Sequence, residues 1–76
     1  MPLTDPQERI LAYMTMSGWC NGSEVAAWTG LQARVTRHTL MALLRRGLVV
    51  HSDHTNDLWL ATPRAVRLMG RLDRTA

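Results

Sequence analysis

The sequence predicts a small α+β domain in which three helices are followed by a two-stranded β-hairpin and a fourth helix. Apolar residues recur at helical spacing in four segments, and two short strand-like runs flank a polar turn. Seventy-six residues are enough for one domain, which we place over residues 1–76. A hydrophobic fraction of 46% suffices for a core and is too high for a disordered tail.

The first two helices are predicted from their start signals. Asp5 is expected to cap the first helix, which continues over residues 6–17 with a proline at its first position. Ser23 is expected to cap a shorter second helix over residues 24–29. The chain's three tryptophans are expected in the core or at its edge, namely Trp19, Trp28 and Trp59.

The third helix is predicted over residues 33–46 and ends at Gly47. At about 100° per residue it divides into two faces. The apolar face includes Thr36, Leu40 and Leu43, whereas Val35 and Met41 are predicted to point outward. The opposite, basic face carries Arg34, His38 and Arg45, with Arg37 and Arg46 at its flanks.

A hairpin and a last helix complete the predicted order. Residues 48–52 and 58–62 are the strand-like runs, and the polar residues 53–57 form the turn between them. A threonine followed by a proline then starts a helix over residues 63–73. One arc of this helix is apolar, and the other carries Arg64, Arg67, Arg71 and Arg74.

This order of elements describes a winged helix-turn-helix, and particular residues resemble the MarR and GntR families of bacterial transcription regulators. Thr36–Leu40 and Leu43–Val49 resemble the third helix of those families, which ends in L-x-x-x-G-L-V and leads directly into the wing. Ser23–Ala26 and Leu58–Pro63 resemble the preceding helix and the second wing strand. The resemblance covers roughly residues 8–70 and implies a domain that binds double-stranded DNA.

The charge of the chain is compatible with that implication but does not establish it. The formal charge is +3, the sequence pI is near 10.5, and every cationic residue is arginine. Such a domain suits nucleic acid, an anionic lipid or an acidic protein. Cys20 is the only cysteine, so a reducing cytoplasm is the expected setting. No signal peptide and no apolar stretch of about 20 residues occurs, so we expect no membrane partner.

The resemblance implies roles for individual residues. The helix over residues 33–46 would enter the major groove, and the residues of its first half would face base edges: Arg34, Arg37 and His38, with Thr39 as a further candidate. Val35 would meet a thymine methyl or contact a protein. Ser23 would contact a phosphate at a helix N-terminus. Arg45, Arg46, Arg64, Arg67 and Arg71 would hold phosphates or remain solvated. Asp53 and Asp57 make the wing tip acidic, which disfavours contact between the wing and DNA.

Metal binding and catalysis are not predicted. His38, His51 and His54 lack the spacing of a zinc site, and no cysteine pair accompanies them. Cys20 has no oriented base or oxyanion motif beside it, and the five glycines are isolated from one another. We therefore expect neither a cofactor nor an enzyme.

The sequence thus predicts a small regulator of transcription that acts by occupying its DNA site. A chain that begins with its own methionine and ends soon after the last helix is expected to be a complete small reading frame, and such stand-alone domains resemble regulators of bacterial mobile elements, plasmids or phages. A homodimer that reads a palindrome is expected, with contacts from the first and last helices. The alternative is a protein–protein module, such as an assembly subunit or a phage-type inhibitor that binds a host complex.

Overall fold

The computed structural model describes residues 2–52 and 57–75 of the chain. It contains four helices and a three-stranded antiparallel sheet, which confirms the predicted α+β winged helix-turn-helix. The elements are α1 (Asp5–Ser17), β1 (Cys20–Asn21), α2 (Gly22–Thr29), α3 (Ala33–Arg45), β2 (Val49–Ser52), β3 (Leu58–Ala61) and α4 (Pro63–Thr75). The side chains described in α4 are those up to Leu72, so that of Arg74 lies outside the described residues.

Both N-terminal helices begin earlier than the sequence predicts, because a different residue caps each of them. Thr4, not Asp5, caps α1: its hydroxyl accepts a hydrogen bond from the Gln7 amide, and the Gln7 side chain accepts one from the Thr4 amide. Asn21, not Ser23, caps α2 through the same reciprocal arrangement with the third residue of the helix. Each pair of bonds satisfies two backbone donors that a helix start would otherwise leave unpaired.

The end of α3 is closed by two hydrogen bonds that lead the chain into the hairpin. The Gly47 amide donates to the Leu44 carbonyl and the Leu48 amide donates to the Leu43 carbonyl, each at 3.0 Å. This is a Schellman motif, and its left-handed residue is Gly47, with φ +73°. The Thr62 hydroxyl donates to the Gly47 carbonyl, which fixes this turn against the start of α4.

The hairpin is confirmed, and a third strand that the sequence did not predict lies beside it. β2 pairs with β3 in the register Val49 opposite Ala61, and β1 pairs with the other edge of β3. The sheet order is therefore β1-β3-β2, with Cys20 opposite Trp59. The added strand ties the start of α2 to the base of the wing, so these two elements are held in fixed relative positions.

The core lies between α1, α2, α3, the sheet and the first turn of α4. Its buried apolar residues are Ile10, Leu11, Met14, Cys20, Val25, Leu40, Leu43, Leu48, Val49, Trp59 and Ala65. The expectation for the tryptophans is confirmed for Trp59 and wrong for Trp28, which is mostly exposed. Trp19 is half exposed. No helix within residues 2–52 and 57–75 is long and apolar enough to cross a membrane.

Candidate nucleic-acid interface

Helix α3 is amphipathic, as the sequence predicts. Thr36, Leu40 and Leu43 are buried under α1 and α2. The exposed arc of the helix carries three guanidinium groups, an imidazole and a thioether: Arg34, Arg37, His38, Met41 and Arg45. Met41 stands near the middle of this arc at about 100° per residue, with arginines on both sides of it.

Two residues in the first half of α3 are less exposed to solvent than the sequence predicts. Thr39 is only 8% exposed, and its hydroxyl donates to the Val35 carbonyl at 2.7 Å, so the hydroxyl is already bound to the helix backbone. Val35 is half-buried, so it is less exposed than the sequence predicts. Both line a shallow depression between Arg34 and His38. The base-edge role expected for Thr39 and the projecting role expected for Val35 are therefore not supported by their geometry.

A groove runs between the start of α2, the exposed side of α3 and the base of the wing. Its lining residues are Asn21, Gly22, Ser23, Glu24, Ala26, Ala33, Thr36, Arg37, Leu40, Asp57, Leu58 and Trp59. Among the arginines that the structure describes, Arg37 is the one that lines this groove. The groove therefore brings together Ser23 and Arg37, two residues on different helices that the sequence predicts as DNA contacts.

The first turn of α2 opens onto this groove. Ser23 is exposed and is the second residue of the helix, after Gly22. Because backbone amides at a helix N-terminus point along the axis and carry partial positive charge, this turn suits an anionic group. Glu24 is occupied in the cap, where its carboxylate accepts a hydrogen bond from the Asn21 amide at 3.1 Å.

The wing contributes an acidic residue to the same groove. Asp57 precedes β3 with a left-handed φ of 54°, and its carboxylate is hydrogen-bonded to the His51 ring. The His51 ring stacks on Trp59, with ring centroids 4.1 Å apart. The predicted turn residues Asp53 and His54 lie outside the described residues. Among the described wing residues, Asp57 carries a negative charge, which is consistent with the expectation that the wing is unsuited to contact a phosphate backbone.

The remaining predicted arginines belong to other surfaces. Arg46 donates a hydrogen bond to the Gln7 side chain of α1 at 3.0 Å. Together with Arg64 and Arg71 it lines a second groove, which also includes Leu3, Leu48 and Leu72 and shares no residue with the first groove. Arg67 is exposed on α4. In the described part of the chain, the groove beside α3 is not lined by Arg46, Arg64, Arg67 or Arg71.

Cys20 and the histidines form no reactive site in the part of the chain that is described. Cys20 is buried against β3, its thiol donates to the Trp59 carbonyl at 3.7 Å, and burial raises the pKa of the thiol above its ordinary value. No three histidine, cysteine, aspartate or glutamate residues gather into a metal-binding group in residues 2–52 and 57–75. What the exposed arc of α3 offers chemically is guanidinium groups, which recognise anions and flat polar surfaces.

Solved structures with this fold include several bacterial regulators. No protein-family model and no curated protein sequence matches the chain. The chain is similar to Bordetella bronchiseptica BpsR, whose DNA binding is regulated by 6-hydroxynicotinic acid, with a TM-score of 0.89 and 24% identity over 95% of this chain and 53% of that one. It is also similar to a MarR family protein from Bacillus stearothermophilus, with a TM-score of 0.88 and 20% identity over 99% of this chain and 54% of that one.

A third similar structure is smaller and contains nucleic acid. It is the Zalpha domain of Carassius auratus PKZ in complex with Z-DNA, with a TM-score of 0.71 and 19% identity over 75% of this chain and 92% of that one. The chain spans about half the length of the bacterial structures that it matches. The chain has the winged helix-turn-helix fold, and it resembles the MarR-type domains in all four helices and in the hairpin.

Proposed function

We propose that this protein binds double-stranded DNA, with α3 in the major groove. The observation that carries the proposal is the exposed arc of α3, which carries Arg34, Arg37, His38 and Arg45. Of these residues, Arg37 shares a groove with the open first turn of α2. A major groove is wide enough for one α-helix, and arginine matches both guanine edges and phosphates in two-point geometry. The similar structures that bind DNA support the proposal at the level of the fold.

We propose different contacts for the individual residues of this face. Arg37 and His38 are the residues proposed to read base edges, and Arg34 reads an edge or a neighbouring phosphate. Ser23 and the first-turn amides of α2 hold a phosphate across the groove, and Arg45 holds one near the end of α3. Each of these side chains is exposed, so no rearrangement of the core is needed for contact.

Met41 takes the apolar contact that the sequence analysis assigned to Val35. It lies near the middle of the exposed arc, whereas Val35 is half-buried. A thioether placed among guanidinium groups offers a flexible apolar surface to a thymine methyl. Val35 and Thr39 then support Arg34 and His38 from below, since the four residues line one depression.

We further propose that the protein is a small transcriptional regulator that works as a homodimer on a palindromic site. Its proposed location is the cytoplasm of a bacterium or of a cell that hosts a phage or plasmid. Occupancy of the site is the proposed means of control. Arg46, Arg64, Arg67 and Arg71 have no place in the proposed major-groove contact and act at most on more distant phosphates.

Selection of bound fragments from random duplex DNA tests the proposal. We expect enrichment of one palindromic sequence by the wild-type protein and no enrichment by the double variant Ser23→Ala/Arg37→Ala. Both positions are exposed, so the double variant is expected to fold and to keep the wild-type melting temperature. Equal, featureless retention of DNA by both proteins would refute sequence-specific binding.

The second candidate function is a winged-helix module that binds a protein. Two observations favour it: the groove beside α3 contains the carboxylates of Glu24 and Asp57, and Met41 is exposed on α3 itself. A pull-down from host lysate distinguishes the two functions. A single tight protein partner whose capture is abolished by Met41→Glu, together with no selected DNA sequence, would establish the second function and exclude the first.

A further inference from the structure

The second groove combines guanidinium groups with an apolar lining. It has a volume of about 410 Å³ and lies between the segment that leads into α1, the end of α3 and one side of α4. It shares no lining residue with the groove beside α3 and has no part in the proposed major-groove contact. The residues that give it this mixed character are Leu3, Arg46, Arg64, Leu68, Arg71 and Leu72.

The sequence of α4 builds one wall of the second groove. Arg64, Leu68 and Arg71 follow one another at intervals of four and three residues, so they lie on one face of the helix, and Leu72 follows Leu68 on the same face. At a rise of about 1.5 Å per residue, the two arginines start about 11 Å apart along the helix axis, with Leu68 between them. This face therefore alternates positive charge with apolar surface over about two helical turns.

The guanidinium groups come from two different elements. Arg46 is half-buried at the end of α3 and donates a hydrogen bond to the Gln7 side chain at 3.0 Å. Arg64 reaches from α4 to the turn after α3, where its Nη1 atom lies 3.7 Å from the position that a Cβ atom on Gly47 would take. Two positive charges thus gather at this end of the groove. Arg64 and Arg71 are exposed, and the ion pairs among the described side chains include neither of them.

One carboxylate also borders the second groove. Among the described residues that line it, Glu8 is the acidic one, and it is exposed on α1. Asp5 of the same helix pairs with Arg9 on the surface. Three guanidinium groups against one carboxylate leave the groove with a net positive charge. Glu8 disfavours a ligand that is negative along its whole length, and it tolerates one whose negative charges face Arg64 and Arg71.

We propose that the second groove binds an acidic peptide segment of a partner protein, in which two carboxylates flank a large apolar side chain. The carboxylates pair with Arg64 and Arg71, and the apolar side chain packs on Leu68 and Leu72. Guanidinium groups bind carboxylates in two-point geometry. A span of about 11 Å corresponds to about seven residues of a helix or about three residues of an extended strand, so a peptide in either form can supply both carboxylates.

Charge and apolar surface together favour an acidic peptide over other partners of a basic groove. The phosphate-rich backbone of DNA offers little apolar surface to cover Leu3, Leu68 and Leu72. In a twofold contact, a second copy of this chain would bring Arg64 and Arg71 toward the same groups of its partner, and like charges oppose association. An acidic segment with an apolar side chain satisfies both features of the groove.

This peptide site is independent of the proposed DNA contact. The two grooves have no lining residue in common, so a peptide in the second groove need not displace α3 from a duplex. The inference also differs from the protein-binding alternative given above, which depends on Met41 and on the groove beside α3. Each of the three can therefore fail while the others hold.

Affinity selection from a random peptide library on the immobilised full chain tests the proposal. We expect enrichment of peptides in which two or more acidic residues surround a large apolar residue. In fluorescence anisotropy, a labelled peptide from this selection should bind Arg64→Glu and Arg71→Glu at least about tenfold more weakly than the wild type, because like charges then face each other. Arg67→Glu is the matched control, since Arg67 is exposed on α4 and does not line the groove, and we expect it to bind like the wild type.

Changes in the peptide make the result independent of protein folding. Replacing both acidic residues of the selected peptide by their amides should weaken its binding to the wild-type chain at least about tenfold. A peptide with lysine in place of one acidic residue should bind Arg71→Glu or Arg64→Glu better than it binds the wild type, because the exchanged charges attract again.

Three outcomes would overturn the proposal. The first is a selection that enriches no acidic peptides. The second is a selected peptide that Arg67→Glu weakens as much as Arg71→Glu, since its binding would then depend only on the total charge. The third is a loss of duplex DNA affinity in Arg64→Gln with no loss of peptide affinity, which would assign the second groove to a phosphate backbone.

Discussion

Replacing Arg37 by glutamine is the most informative single change on the candidate interface. Arg37 is exposed and lines the groove between α2, α3 and the wing, while Arg71 lies on α4 and lines the other groove. Glutamine keeps a long polar side chain and good helix propensity, so Arg37→Gln removes the charge and the two-point hydrogen-bonding geometry with little effect on the helix. Arg71→Gln is the matched control.

The expected loss follows from the role of the side chain. A base-reading arginine contributes about 1–3 kcal/mol, which corresponds to roughly 5-fold to 160-fold weaker binding to the preferred duplex. Binding of Arg37→Gln to unrelated duplexes should fall much less, so the ratio of specific to non-specific affinity should shrink. For Arg71→Gln we expect less than about a twofold change on either duplex, because a solvated charge outside the interface is largely screened.

Fluorescence anisotropy with labelled duplexes at one fixed salt concentration measures both quantities. Melting temperatures of the two variants should equal that of the wild type, which excludes a folding effect. If Arg37→Gln kept the affinity and sequence preference of the wild type, or if Arg71→Gln lost as much affinity, the groove beside α3 would not be the reading surface. The arginines would then act only as a diffuse positive charge.

Three further predictions concern the fold that supports this surface. Trp59→Ala should lower the free energy of unfolding, measured in urea, by about 3–5 kcal/mol, because Trp59 is buried. Trp28→Ala should lower it by no more than about 1.5 kcal/mol, since it loses one stacking contact. Similar losses for the two variants would contradict the difference in burial between these residues. In the same assay Asn21→Ala should lower the free energy of unfolding by about 1 kcal/mol, and Ser23→Ala by less than about 0.5 kcal/mol. The reverse order would show that Ser23 is the cap of α2. Cys20 should react with a thiol reagent slowly in buffer and rapidly in urea, because burial raises its pKa and blocks access; immediate labelling of the folded protein would contradict this.

Helix α3 could be predicted from the sequence because its period is unambiguous. Apolar and basic residues separate cleanly at about 100° per residue, and a glycine stands where the chain must adopt a left-handed conformation. The hairpin and the start of α4 carry equally direct local signals. These elements position Arg34, Arg37 and His38, so the main part of the candidate interface followed from the sequence alone.

The capping residue of α1 could not be predicted because two capping boxes overlap at the start of that helix. Thr4 with Gln7 and Asp5 with Glu8 have the same spacing. A tertiary contact accompanies the observed choice: the Gln7 side chain is buried and also accepts a hydrogen bond from Arg46, at the far end of α3. Asp5 instead pairs with Arg9 on the surface. The same contact removes Arg46 from the candidate interface, and no local pattern indicates it.

The short strand β1 and the exposure of Trp28 are consequences of long-range packing. A strand of two residues is too short to show the alternation of apolar and polar residues that predicts longer strands. The strand partner of Cys20 is Trp59, which lies far along the chain. Helix α2 is apolar on several sides, so its periodicity does not indicate which side the rest of the domain covers. Val25 is the residue that enters the core, and Trp28 is left to stack on Tyr13.

The salt dependence of duplex affinity tests the central claim most directly. If the exposed arc of α3 and the first turn of α2 hold phosphates, a plot of log affinity against log salt should be linear, with a slope of about −0.9 for each phosphate neutralised. We expect a slope of about −2 or steeper for the wild type, and a clearly shallower slope for the variant that carries Arg34→Gln, Arg37→Gln and Arg45→Gln together. An affinity for duplex DNA that barely changes with salt, or a slope that the triple substitution leaves unaltered, would contradict the assignment of this face to DNA.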